Sequence, residues 1–320
     1  MIVETKYPNQ TMVSNFFLQS LMYTAEHPTL FFLLIYSITV TGNLLILINV
    51  GSGDPHLRSP MYHFLGHLSF LDAYLSTVTV PKVMAGLLTL NGKVISFEGC
   101  AIHLYCFHFL AITECFRYIV IAYDCYLAIC QPLQYQVAMN RQMCAGLAGI
   151  TWAVGAVHSA IHTSLTFRLL YRGPYHIVYF FCDLSPVLKL VCADITINEI
   201  VMLANIGVVA EGCLILLIIS YIFIVASVLR ICTAKGRQRA FSMCTAHLTV
   251  VLLYYMPPVC IYLQPHSSGA GAGALAAFYT MVTLMLNAFV YTLQNNEVRR
   301  ALRRLLCQGS QEFPASSPAP

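Results

Sequence analysis

Of 320 residues, 58% are hydrophobic and only 9% charged, with a mean hydropathy of +0.71 and a net charge of +4. Soluble globular chains carry about 25% charged residues, so a fold this poor in Asp, Glu, Lys and Arg could not cover a water-facing surface. A soluble enzyme, a nucleic-acid binder and a disordered chain are excluded, and an integral membrane protein remains. Thirteen cysteines do not amount to a disulfide scaffold. Most lie in apolar runs, where a reduced cysteine behaves as a small hydrophobe; only Cys100, Cys182 and Cys192 sit at segment ends or in a polar loop.

In chain order, the first 25 residues are polar and lack a basic stretch followed by a short apolar core, so no cleaved signal peptide is expected. Asn9-Gln10-Thr11 is a glycosylation acceptor, which fits an N-terminus outside the cytosol. A span needs about 20 apolar residues to cross about 30 Å of hydrocarbon. Seven such runs occur, at 28–50, 58–80, 99–121, 143–163, 200–229, 242–263 and 272–292. The fifth is long and is expected to tilt or to project into the cytoplasm. Pro81, Pro257 and Pro258 fall near predicted span ends.

Basic residues concentrate on the cytoplasmic side of transmembrane segments. With the N-terminus outside, Arg58, Arg141, Arg230, Lys235, Arg237, Arg239, Arg299, Arg300, Arg303 and Arg304 are cytoplasmic. Lys6, Lys82, Lys93, Arg168, Arg172 and Lys189 are external, so the balance favours this orientation. Beyond the seventh span, 295–306 places Val298, Leu302, Leu305 and Leu306 on one side and arginines on another, as in a helix lying on the lipid of the cytoplasmic leaflet. Cys307 follows as a palmitoylation site or a plain surface thiol. The Ser/Pro/Ala-rich 308–320 is expected to be disordered. The expected division is an extracellular N-terminus (1–26), an all-α seven-span domain (27–293) and an amphipathic helix with a cytoplasmic tail (294–320).

Charges inside spans are expensive and are default functional candidates. They are Asp72, Glu114, Arg117 and Glu211. Asp72 and Glu114 lie mid-span on neighbouring helices, and two readings stand. Facing each other, they would make a hydrated sodium or proton site with Asn43 and Asn287 as neutral oxygen donors. Alternatively, each is neutral and hydrogen-bonded to an adjacent helix. His103-x-x-Cys106 and His158-x-x-x-His162 have spacing suited to copper or zinc, but two ligands do not make a site, and no metal or cofactor is expected. There is no nucleophile elbow or phosphate loop, hence no enzyme is expected. The absence of internal repeats counts against a transporter built from inverted halves.

Several motifs stand in a specific order. They are Asn43, Pro60-Met61-Tyr62, Leu68-Ser69-Phe70-Leu71-Asp72, Pro81-Lys82, Ala122-Tyr123-Asp124 through Ala128-Ile129-Cys130, Phe180-Phe181-Cys182-Asp183 with Cys192-Ala193-Asp194, Arg239-Ala240-Phe241-Ser242 through Cys244 and His247, then Asn287 and Tyr291. Together, over about residues 10–305, they resemble the olfactory receptor family of rhodopsin-like G-protein-coupled receptors. Thr113-Glu114-Cys115-Phe116 and Phe167-Arg168-Leu169 look like its group numbered ten.

The resemblance implies a plasma-membrane, multi-pass seven-helix bundle with an extracellular N-terminus. It implies binding of a small volatile or hydrophobic odorant in the outer half and coupling to the heterotrimeric stimulatory olfactory G protein, hence cyclic AMP. By the same resemblance, Cys100 pairs with Cys182, and Asn43, Asp72, Glu114 and Asn287 form the polar core. Leu104, Phe107, His108, Ala111 and Ile112 match the pocket wall of the third helix, and helical spacing puts them on one face. Tyr255 matches the ligand-sensing aromatic of the sixth helix, with Tyr262 two turns higher.

Four positions depart from that pattern. Asp124-Cys125-Tyr126 has cysteine where the family has the arginine that meets the G protein. Cys125 has no fixed charge and cannot form a bidentate bond. Ala288 replaces a proline of the seventh helix, restoring a backbone N–H and straightening the helix on which Tyr291 swings. Arg172 replaces a cysteine that pairs with the position of Cys192, so one loop bridge is expected to be missing. Arg117 stands where relatives are apolar; it is expected either to pair with Glu114 and displace sodium or to lie uncompensated. The four together suggest a receptor with impaired signalling. The alternatives are a non-signalling receptor-like membrane protein and an ion-coupled transporter using Asp72, Glu114 and Glu211.

Overall fold

The computed structural model describes residues 14–18, 28–52, 59–171, 176–177, 179, 181–205, 209, 211–230, 233–262, 281–290 and 300. Its long helices follow the predicted spans: α1 (Pro28–Gly51), α2 (Pro60–Leu88), α3 (Phe97–Cys130), α5 (Arg141–Phe167), α8 (Gly212–Leu229) and α9 (Ala234–Tyr262). Between α3 and α5 lies the short α4 (Tyr135–Ala138), and between α5 and α8 lie α6 (Leu184–Leu188) and α7 (Thr196–Asn205). The described part of the seventh span is α10 (Met281–Val290). Among the described residues, four helical stretches are long and apolar enough to cross a membrane: Thr29–Gly51, Phe97–Cys130, Arg141–Phe167 and Gly212–Leu229. Helix α2 is just as suited in length, at 29 residues, but its apolarity is diluted by groups that it turns inward, including Ser69, Asp72, Ser76 and Thr79. Meanwhile Ile215, Leu216, Ile219 and Ile222 of α8 are exposed. Polar groups inside and branched aliphatics outside is the arrangement hydrocarbon imposes, since lipid tails solvate isoleucine as well as a protein core does.

Three boundaries differ from the sequence expectation. Pro81 lies within α2 rather than near its end, and Pro257 and Pro258 fall in the last turns of the described part of α9. A proline frees the carbonyl four residues earlier, and membrane helices tolerate this because neighbouring groups satisfy it. Helix α3 continues beyond 121 to Cys130, so Asp124-Cys125-Tyr126 is helical. The fifth span is described in two helical pieces, α7 and α8, with Val209 and Glu211 in π-type geometry before α8.

Ends are set locally. Ser96 Oγ accepts from the Gly99 N–H at 3.0 Å to start α3, and Asn140 Oδ1 accepts from the Met143 N–H at 2.9 Å to start α5. Each such cap contributes about 1 kcal/mol. Helices α3 and α5 approach closely at Gly155, where an added Cβ would collide with Thr113 Oγ1 and come 2.9 Å from the Phe109 carbonyl oxygen. Gly155→Ala should therefore lower the thermal midpoint of the purified protein, because overpacking costs about 1–3 kcal/mol. Gly146→Ala and Gly149→Ala, where a Cβ meets nothing within 4 Å, should leave the midpoint unchanged or raise it. A common response of all three variants would refute close packing as the cause.

One end of the bundle carries a three-stranded sheet in the order β2-β1-β3. The strands are β1 (Asn15–Leu18), β2 (Val94–Ser96) before α3, and β3 (His176–Ile177). Strand β1 is antiparallel to β2, with Asn15 opposite Ser96, and parallel to β3, with Leu18 opposite Ile177. The segment expected to be a plain polar extension thus supplies the middle strand. Its alternation explains why: Phe16 and Leu18 are buried while Asn15 is exposed, the period-two pattern of a half-buried strand. Phe16 packs edge-on against Tyr171 and stacks on Phe97. Beneath, Cys100 and Cys182 are joined by a disulfide with Cα atoms 5.6 Å apart.

Candidate functional site

Midway along the bundle, α2, α3 and α10 bring together Asp72, Glu114, Tyr118 and Asn287, all essentially inaccessible to solvent. Tyr118 Oη donates to Glu114 Oε1 at 2.6 Å. Asn287 Nδ2 donates to Tyr118 Oη at 2.9 Å and to Glu114 Oε1 at 3.3 Å. Asp72 of α2 adjoins this group, its Oδ1 buried and without a hydrogen-bond partner. Two adjoining carboxyl groups shut off from water carry at most one negative charge unless a cation sits between them. Asn43 is buried but bonds its own helix, Nδ2 donating to the Thr39 carbonyl at 3.0 Å. Tyr118 was not among the sequence-predicted residues, although its place one turn after Glu114 was a readable signal.

Arg117 does not pair with Glu114. It is 0% exposed, its Nε, Nη1 and Nη2 have no hydrogen-bond partner, and its guanidinium carbon stands 6.0 Å from the centre of the Phe64 ring. Glu114 faces α10, where Tyr118 and Asn287 occupy Oε1, whereas Arg117 turns toward α2 and the neighbourhood of His63 and His67. The expected ion pair is therefore replaced by an uncompensated buried cation. Glu211 is exposed, away from the carboxyl pair.

Toward the sheet end, Phe107, His108, Ala111 and Ile112 are half-buried on α3. Phe107 packs on Phe181 with ring centroids 4.9 Å apart. His108 Nε2 lies 3.2 Å from Asp183 Oδ1, tying α3 to the segment after the disulfide. Asp183 also caps α6, its Oδ1 accepting from the Leu184 N–H at 2.8 Å. Tyr254 Oη donates to the Ala111 carbonyl at 2.7 Å. Leu104 is fully enclosed in the apolar cluster beneath the sheet, with Phe16, Tyr171 and Ile177. Tyr255 is buried, its hydroxyl 2.8 Å from Cys115 Sγ; the side chain of Tyr262 lies outside the described residues. Asp183 and Tyr254 were missed by the helical-face reading, because a face pattern on one helix carries no information about its partners on loops and other helices.

At the opposite end of α3, Asp124 Oδ1 accepts from Tyr135 Oη of α4 at 2.9 Å. Burial and the Asp124 carboxylate beside it push the Tyr135 phenol well above its ordinary value, so Tyr135 stays protonated and donates. Cys125 is buried in the apolar cluster between α3, α8 and α9, and Tyr126 packs edge-on against Phe223 with centroids 6.3 Å apart. Tyr221 and His247 Nδ1 are hydrogen-bonded across α8 and α9. Cys192 is exposed and in no disulfide. Asn9, Arg172, Tyr291 and Cys307 lie outside the described residues, as does all of 295–306 except Arg300. His158 and His162 sit with centroids 4.6 Å apart, and among the described residues no three His, Cys, Asp or Glu side chains form a group able to hold a metal ion.

The buried carboxyl pair, the disulfide at the sheet end and the α3–α4 contact are framed by a chain whose sequence matches the family described as "Olfactory receptor" over residues 32–309. Among curated proteins, "Olfactory receptor 10S1" of Homo sapiens is 75% identical over 323 residues, covering 100% of this chain and 97% of its own. "Olfactory receptor 10G4" of Homo sapiens is 49% identical over 300 residues, covering 93% of this chain and 96% of its own. "Olfactory receptor 10G7" of Homo sapiens is 52% identical over 274 residues, covering 86% and 88%. The chain belongs to the olfactory receptor family, within its family 10, and is a multi-pass seven-transmembrane receptor rather than an enzyme.

Proposed function

We propose that this olfactory receptor binds a small hydrophobic odorant between α3 and α9 in the half of the bundle nearer the sheet, and that its coupling to a stimulatory G protein is impaired. The sheet end is then extracellular, and the end bearing α4 is cytoplasmic. Phe107, His108, Ala111 and Ile112 are partly accessible along one face, and Tyr255 closes the floor, with Leu104 above as packing; Tyr262 comes two turns later in α9. The Asp72–Glu114 pair, with Asn287 and Asn43, serves as a proton or sodium site that α10 senses. Arg117 leaves this pair open rather than occupying it.

The impairment rests chiefly on one observation: Cys125 is buried among apolar side chains while its neighbour Asp124 is held by Tyr135. In this chain the carboxylate accepts from a neutral phenol, and among the described residues no cation is paired with it. Ala288 adds to this. Gly42 of α1 lies so close that a Cβ there would be 2.9 Å from the Ala288 Cβ, so α10 packs closely against α1 at the position where the family pattern has a proline. The remaining alternative is a receptor-like protein that reaches the membrane and binds ligand without signalling. A cyclic AMP reporter assay with odorant panels decides, comparing the natural chain with Cys125→Arg plus Ala288→Pro at equal surface level. A response at least tenfold larger in the double variant is expected; a robust response from the natural chain would overturn the impairment.

A further inference from the structure

On the face of α2 turned away from the bundle, a stripe of side chains runs from polar to aromatic. His63, His67, Phe70 and Tyr74 recur at helical spacing; His67 is half-buried and the other three are exposed. The His63 and His67 rings lie 4.7 Å apart near the start of the helix. Further along, Phe70 stacks on Tyr74 with centroids 5.9 Å apart and meets Trp152 of α5 edge-on at 6.1 Å. Two helices thus share an aromatic wall that continues a pair of imidazoles. Arg117 of α3 stands behind them. The Phe64 ring is 5.6 Å from that of His63 and 6.0 Å from the Arg117 guanidinium carbon, and so links the two. None of the guanidinium nitrogens is hydrogen-bonded, and among the described residues no carboxylate pairs with them.

We propose that this surface binds an anionic phospholipid of the cytoplasmic leaflet, its phosphate on His63 and His67 and one acyl chain along Phe70, Tyr74 and Trp152. A buried cation without a protein counter-ion is costly, and the exposed imidazole beside it opens onto lipid, where phosphate is the abundant anion. Each imidazole offers an N–H donor. The Arg117 stem is long and flexible, so its head can turn past Phe64 toward the interface and meet the phosphate with two parallel N–H donors. Depth allows this, because Phe64 is four residues into α2, about 6 Å along its axis. Choline and ethanolamine headgroups bring their own cation, whereas an inositol headgroup leaves the phosphate charge for Arg117. The aromatic wall favours a lipid over a soluble anion, since only a lipid has a chain to lay against it. Phospholipid offsets the charge once the receptor lies in a membrane that holds it; during folding, and in detergent alone, the cation stays bare.

The test uses the full-length receptor in phosphatidylcholine nanodiscs doped with phosphatidylinositol that carries a photoreactive acyl chain. After irradiation, mass spectrometry of the digest locates the label. The expected result is labelling of the peptides that hold Phe70, Tyr74 and Trp152. It should be about fivefold stronger than from phosphatidylcholine with the same chain, the preference that one basic residue near an anionic lipid supplies. Arg117→Leu should bring the two lipids level while leaving label on the aromatic wall. Excess inorganic phosphate should not compete; competition would make a soluble anion the ligand and overturn the proposal. Equal labelling of the unmutated receptor by both lipids, or phosphatidylinositol label confined to the arginine-rich 295–306, would overturn it as well. Only the choice of leaflet rests on the orientation proposed above. Nanodiscs present both leaflets, so the labelling stands or falls independently of that orientation and of whether the receptor signals.

Discussion

Arg117→Leu raises the thermal midpoint of the purified receptor by roughly 5–10 °C and increases the fraction delivered to the cell surface. The guanidinium is fully enclosed with none of its nitrogens hydrogen-bonded, and arginine does not shed its proton in proteins. A buried charge left without its partner destabilises by about 3–5 kcal/mol, and leucine removes the charge while filling the space beside Phe64. His63 and His67 stand nearby, with rings 4.7 Å apart, and supply no anion to offset the cation. Arg117→Lys keeps the charge and should give no such gain. A fall in the midpoint on Arg117→Leu would mean that the guanidinium holds something together, and would remove this residue from the causes of impairment. Thermal scanning of the two variants in the same detergent makes the comparison.

Cys182→Ser abolishes surface delivery, with Cys100→Ser giving the same result. Both sulfurs are fully buried in the cluster that holds Phe16, Leu104, Tyr171 and Ile177, so the substitution leaves a serine hydroxyl beside an unpaired thiol in an apolar interior and frees the loop over the bundle. Removing a native disulfide costs about 2–5 kcal/mol in small secreted domains. Here the bond also positions Asp183, the next residue, whose carboxylate both faces His108 and caps α6. Loss of the bond therefore loosens the sheet, the cap and the histidine contact together. Cys192→Ser is the control: Cys192 is exposed and in no disulfide, so surface delivery should be unchanged. Flow cytometry of an N-terminally tagged receptor separates these outcomes, and normal delivery of Cys182→Ser would show that packing alone holds the sheet.

Composition and run length alone determined that this chain lies in a membrane as several helices, because hydrocarbon permits backbone polar groups no other economical satisfaction. The buried ionisable residues Asp72, Glu114 and Arg117 were legible too, since a charge in a 20-residue apolar run is costly wherever it points. Motif order made the family readable, and with it the pairing of Cys100 with Cys182. What each charge meets was decided only by tertiary structure. Residues 114 and 117 can touch on a helix, yet Glu114 turned to Tyr118 and Asn287, while Arg117 turned to Phe64. The choice depends on α2 and α10, which are remote in sequence. The same holds for Tyr135 as the partner of Asp124, for Tyr255 beside Cys115, and for a polar-looking N-terminal segment placed between two loop strands. Each is a contact between distant segments, and periodicity along one helix cannot encode which side chain a neighbouring helix will bring to its face.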